Sequence, residues 1–195
     1  MNESEIEKFL KDNMAKAEAT VRLNQSTPVP RPYRNPLQER MSWRFQVLQN
    51  DMQQVPRDNL VSTRTTILSG DSHSCKKALE ELKEIKLRDM KVPMVHSGRY
   101  LVCRVIGAPC LMVGVNTLVE DLNGDVEQLA LYNFRYNIND LEWISFGTIL
   151  VIKEPWLRYG SQSKTPSMRV DSPTDVIFVD PADEKLLEKI GAKKW

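Results

Sequence analysis

The chain has 195 residues, 41% of them hydrophobic and 27% charged, with a formal net charge of +1. That balance suits a domain that folds in water and excludes both wholesale disorder and a polybasic tail for nucleic acid or lipid. No apolar run approaches a membrane span, the N-terminus lacks a basic-then-apolar leader, and Cys75, Cys103 and Cys110 show no CxxC spacing, so a reduced, cytoplasmic or nuclear protein without membrane contact is expected.

In chain order, Ser4 and Glu7 match a capping box, and Ile6, Phe9, Leu10, Met14, Ala17 and Val21 recur at helical spacing, predicting a helix over Glu5 to Leu23. The segment "NQSTPVPRPYRNP" follows, where Pro28, Pro30, Pro32 and Pro36 favour an extended spacer over a docking strip for a proline-binding domain. Leu37, Met41, Phe45, Leu48 and Met52 then predict a second helix ending before Pro56, with this stripe as its packing face. Residues 1–55 thus read as a helical arm with a proline-rich linker. Residues 56–97 read as a polar loop, "STRTTILSGDSHS", and a short helix over Ser74 to Ile85, with Ala78, Leu79, Leu82 and Ile85 on one side. Three helices are expected before any strand.

From Gly98 the period changes. "RYLVCRVIG" and "MVGVNTLVEDL" are rich in β-branched residues, and Asn123-Gly124 signals a hairpin with the strand that follows. A turn or short helix over Ile138 to Ile144, the strand "GTILVIKEPW" closed by Pro155, and the strands "SMRVD" and "TDVIFVD" complete the set. That order predicts an α+β fold whose residues 98–180 form a small antiparallel OB-like barrel, although an SH3-like barrel or open sandwich also fits. The tail, 181–195, reads as a C-terminal helix stopped near Gly191.

The run "RYLVCRVI", then "LVEDLNGDVEQLALYN", "GTILVIKEPWLR" and "MRVDSPTDVIFVD", with its KEP and RVDxPxD elements in order, resembles the region ahead of the TPR repeats in fungal proteins that combine TPR repeats with a SET domain. The resemblance covers Ile85 to Asp180. It implies the barrel; in such proteins the SET domain binds S-adenosylmethionine and methylates lysine. The chain shows no repeats of the TPR period and no Asn-His cofactor motif, so the resemblance is expected to carry over the barrel and not the enzyme.

The residues themselves point the same way. Glu120, Asp121, Lys153, Glu154, Arg169 and Asp171 read as strand ends and turn-fixing groups, with Asp121 and Asp171 bonding backbone. His73 and His96 read as solvent-facing loop histidines that match no zinc spacing with Cys75, and Cys103 as an inert strand thiol. "GAP" at Gly107 to Pro109 is too short to cradle phosphate. No catalytic, cofactor-binding or metal-ligating residue, no cofactor and no small-molecule substrate is expected.

Two clusters remain as a candidate interaction face: Tyr132, Phe134, Arg135 and Tyr136 after one strand, and Lys153, Trp156, Arg158 and Tyr159 after another, with Arg169 beside them. Aromatics interleaved with cations can stack bases and pair phosphates of a single-stranded nucleic acid. The acidic hairpin, with Glu120, Asp121, Asp125 and Glu127, weighs against that and favours a solvated rim, and the same aromatics and arginines could equally bind a protein partner. The expected function is a non-catalytic interaction module, the alternatives being a single-stranded nucleic-acid binder or the truncated N-terminal part of a protein-lysine methyltransferase.

Overall fold

The computed structural model describes residues 2–53, 73–111, 114–134, 141–160 and 165–195. Helix α1 spans Glu3–Asn24, and its capping box sits two residues earlier than expected: the Asn2 side chain accepts the Glu5 N–H, and the Glu5 carboxylate accepts the Asn2 N–H, each at 2.9 Å. None of its residues is buried. After β1 (Val29–Pro30), helix α2 spans Pro36–Gln53. Its expected packing face is reversed. Leu37, Met41, Phe45, Leu48 and Met52 are all exposed, whereas Trp43, on the opposite side, is 3% exposed and packs with Val47 against the sheet.

The predicted helix over Ser74 to Ile85 does not form. It is replaced by a single 3-10 turn at Leu79–Glu81 and a strand, β2 (Lys83–Glu84), parallel to the strand at Arg99–Val105. The Lys83 N–H donates to Gly98 O and the Ile85 N–H to Tyr100 O, so ladder pairing takes the donors a helix would need. Leu79, Leu82 and Ile85 are still buried, as their spacing suggested, but from an extended segment.

The other strands are β3 (Lys91–Val92), β4 (Met94–Val95), β5 (Arg99–Val105), β6 (Cys110–Leu111), β7 (Val115–Asp121), β8 (Val126–Leu131), β9 (Ile149–Lys153), β10 (Trp156–Tyr159), β11 (Pro166–Val170) and β12 (Val176–Phe178). A strand also precedes the second helix, contrary to expectation: β1 pairs antiparallel with β3. The large sheet has the order β12-β9-β5-β7-β8-β11-β10-β4, with β2 and β6 paired to β5 and β7. Among the described residues its ends do not pair, so the ladder is open where a closed OB-like barrel is expected; β8 and β11 run parallel. Val176 of β12 and Leu157 of β10, near the two ends of the ladder, nonetheless share one core with Leu101, Leu129, Leu150 and Met168. A flat sheet cannot bring both ends to one core, so the sheet rolls around it.

The hairpin β7–β8 forms where Asn123-Gly124 placed it. Only Gly124 takes positive φ (82°); the Gly124 N–H donates to Asp121 O and the Asp121 N–H to Asp125 O. This is a type I turn closed by a left-handed glycine, not the two-residue turn that Asn-Gly suggests. "GTILVIKEPW" divides at Glu154-Pro155 into β9 and β10, with Glu154 at φ 46°. Helix α3 (Glu184–Lys189) ends at Gly191, φ 74°, as expected.

The outer face is covered in two places. Ile190 and Ala192 pack with Val102 and Val151, and Trp43 packs with Leu118 and Val126. Central strands buried on both faces explain why β7 is buried at six of its seven positions. No described helix is long and apolar enough to cross a membrane.

Candidate functional site

The residues read as an interaction face do not all meet. Arg135 and Tyr136 lie outside the described residues. Phe134 is buried, stacked on Trp143 (centroids 5.8 Å apart) and edge-on to Phe178 at 6.4 Å, so it belongs to the core. Lys153 Nζ donates to Lys77 O at 2.9 Å, away from the others. The Tyr159 ring packs against the core while its backbone N–H and C=O are clasped by the Asn24 side chain at 2.8 and 2.9 Å.

Tyr132, just after β8, does meet Arg169 on β11 and Trp156 and Arg158 on β10. Trp156 is the register partner of Arg169, and the Tyr132 N–H donates to Val170 O at 2.8 Å. The Arg169 guanidinium lies 4.6 Å from the Tyr132 ring centroid and 5.7 Å from that of Trp156; the Arg158 guanidinium lies 4.9 Å from Trp156. Arg169 Nε donates to Asp171 at 2.6 Å, so Asp171 holds a side chain where a backbone bond was expected. Burial, then the neighbouring Arg169 charge, lowers the Arg158 pKa, and no described carboxylate is bonded to Arg158. The result is a ladder of two cations over two aromatic rings with one anion at its side, suited to a negatively charged partner.

A second cluster gathers around Glu154. The Gly98 N–H donates to its carboxylate at 2.6 Å, the Cys75 thiol bonds it, and His73 Nε2 is 3.5 Å away. Burial pushes Glu154 up, but those donors and the charge of His73 outweigh it and hold its pKa below the ordinary value. The Cys75 N–H donates to Asp175 at 2.7 Å. The Cys75 thiol is pushed up by burial, opposite to what a nucleophile needs. No three described His, Cys, Asp or Glu residues are arranged to hold a metal ion.

His96 is not in solvent. It is 3% exposed; Nε2 accepts the Lys91 N–H at 2.9 Å, which fixes the proton on Nδ1, donated to Pro155 O at 2.8 Å. The acidic hairpin is likewise not a solvated rim. Glu127 is fully buried between Arg31 (3.2 Å) and Arg34 (2.6 Å), Glu120 takes Arg40 and Arg104, and Asp121 accepts the N–H groups of Leu87, Asn123 and Asp125. The proline segment that reads as a spacer is therefore packed onto the sheet by its own arginines. Partners nearly a hundred positions apart leave no local signal, so sequence reasoning missed them.

A groove of about 490 Å³ lies between α2 and the Ile106–Ala108 turn, lined by Trp43, Val47, Leu48 and Phe146 and bordered by Arg40 and Arg44. Trp43 Nε1 donates to Ala108 O at 2.8 Å on its floor.

No protein-family model matches the chain. A stretch of 124 residues, 63% of the chain, is 30% identical to a protein of Gibberella zeae named "Methyltransferase". The chain spans 17% of that protein's length. This match overturns the expectation of a non-enzymatic interaction module, because the chain is similar to part of a protein named for an enzymatic reaction.

Proposed function

We propose that this chain forms part of a protein-lysine methyltransferase, as the folded β region that stands ahead of TPR repeats and a SET domain. The carrying observation is the 30% identity with the Gibberella zeae methyltransferase. The ordered KEP and RVDxPxD elements support the finer placement.

S-adenosylmethionine supplies the methyl group in such an enzyme. Its reactive sulfonium is a cation, whereas the groove beside Trp43 is bordered by Arg40 and Arg44. Arg40 is paired with Glu120, but Arg44 makes no ion pair among the described residues, and its like charge makes the groove a poor seat for the methyl donor. In this reading the Tyr132, Trp156, Arg158 and Arg169 ladder holds an acidic stretch of the acceptor protein.

The test uses the Gibberella zeae protein with tritiated S-adenosylmethionine and cell-extract proteins as acceptors. Deleting its matching region should abolish most label transfer, and grafting this chain's region in its place should restore it. Full transfer after the deletion would overturn the proposal. Loss of transfer that the graft fails to restore would overturn its extension to this chain.

A further inference from the structure

The cation and aromatic ladder carries more donors than the described chain uses. Leu157 of β10 and Met168 and Val170 of β11 are buried in the core, while Trp156, Arg158, Ser167 and Arg169 stand partly exposed on the other face of the same strands. There Ser167 is the register partner of Arg158, as Arg169 is of Trp156, so a hydroxyl stands beside the Arg158 side chain. Arg169 spends its Nε on Asp171. Its terminal nitrogens, the Arg158 guanidinium and the Ser167 hydroxyl have no acceptor among the described residues.

The chemistry of the missing acceptor follows from this donor set. A carboxylate has two oxygens and is satisfied by one guanidinium fork; a phosphate monoester has three terminal oxygens and carries about −1.5 to −2 charges at neutral pH. Asp171, 2% exposed, balances Arg169 and orients it, which leaves Arg158 without a counter-charge. A single-stranded nucleic acid fits less well. It needs open rings and a track of cations, whereas Tyr132 and Trp156 already carry guanidinium groups and Lys153 is bonded to Lys77 O elsewhere.

We propose that the ladder reads a phosphorylated serine or threonine within an acidic stretch, the phosphate accepting from Arg158, from the terminal nitrogens of Arg169 and from the Ser167 hydroxyl. This rests on the reading of the ladder as the seat of an acidic stretch of the acceptor protein. Trp156 holds both guanidinium groups, at 4.9 and 5.7 Å from its ring, so they lose little freedom when the phosphate arrives.

Isothermal titration calorimetry of the purified chain with two end-capped peptides, Glu-Glu-pSer-Glu-Glu and Glu-Glu-Glu-Glu-Glu, tests the proposal. The phosphopeptide should bind about tenfold more tightly than its all-glutamate counterpart, since it engages both arginines. Arg158→Gln should abolish that preference, Arg158→Lys should keep part of it because an ammonium lacks the planar fork, and Ser167→Ala should weaken the phosphopeptide alone. Amide spectra by NMR, unchanged outside β10 and β11, show that the variants remain folded. Equal affinity for the two peptides would overturn the phosphate reading and leave the acidic-stretch site standing, whereas no binding of either would overturn both. An oligothymidylate that binds more tightly than the phosphopeptide at the same salt would also overturn the proposal.

Discussion

Both ring nitrogens of His96 are engaged, one as donor to Pro155 and one as acceptor from Lys91, so a second ring proton would face a backbone N–H. Burial is the main cause that lowers its pKa from the ordinary 6.5, and the charge of Arg99 adds to it. Between the folded and unfolded values the unfolded chain binds more protons. The His96 contribution to stability is therefore fully present above about pH 6.5 and declines as pH falls from there toward the folded value. Urea unfolding at pH 7.5, 6.5 and 5.5 should show that decline, and His96→Gln should flatten it; equal slopes in both proteins would refute the assignment. Gly107 makes a different prediction. A Cβ there would meet the Trp43 ring at 2.6 Å and Leu118 Cβ at 2.9 Å, and its neighbour Ala108 accepts the Trp43 indole N–H. Gly107→Ala should cost about 1–3 kcal/mol, the range for overpacking, and move Trp43 fluorescence to the red as the ring leaves its seat.

At the scale of elements, β8 and the proline segment are held together by Glu127 between Arg31 and Arg34. Glu127→Gln leaves the Arg31 guanidinium, 2% exposed, without an anion and the Arg34 guanidinium, 9% exposed, with Glu39 alone. Breaking such a pair from one side costs about 3–5 kcal/mol, whereas replacing all three residues by apolar side chains of similar size is near neutral or stabilising. Comparing Glu127→Gln with the triple Arg31→Met, Arg34→Met, Glu127→Leu in chemical denaturation checks both halves; a triple variant weaker than the single would sink the argument. These partners mark the limit of the sequence reading. The hairpin was legible because Gly124 answers a local backbone need, and α3 because Gly191 stops it. Glu127 looked like a solvated hairpin charge because its cations are about ninety-five positions away. Trp43 was passed over because the Leu37-to-Met52 stripe had the stronger helical period, although that stripe faces outward. At the ladder, Trp156, Arg158 and Arg169 were recognisable as alternate residues on paired strands. Phe134 was not separable from Tyr132, since only the roll of the sheet turns one inward and leaves the other at the surface.

At the scale of the whole molecule, the two N-terminal helices are attached in opposite ways. α1 buries no side chain and is tied to β10 by the Asn24 clasp, so it contributes little to the fold that the sheet cannot supply alone. The stretch from Val29 to Gln53 contributes β1, Arg31, Arg34 and Trp43. Without it Glu127 is a buried charge lacking cations, and Leu118 and Val126 face water. A lost buried ion pair and a lost tryptophan, at about 3–5 kcal/mol each, together consume most of a typical domain stability of about 5–15 kcal/mol. A chain beginning at Ser26 should therefore melt within a few degrees of the full chain, because it loses no core. One beginning at residue 54 should lose its cooperative transition. Thermal unfolding followed by circular dichroism separates these outcomes. Collapse of the Ser26 chain would make α1 a structural element after all, and a folded chain from residue 54 would mean that the sheet stands without its arm.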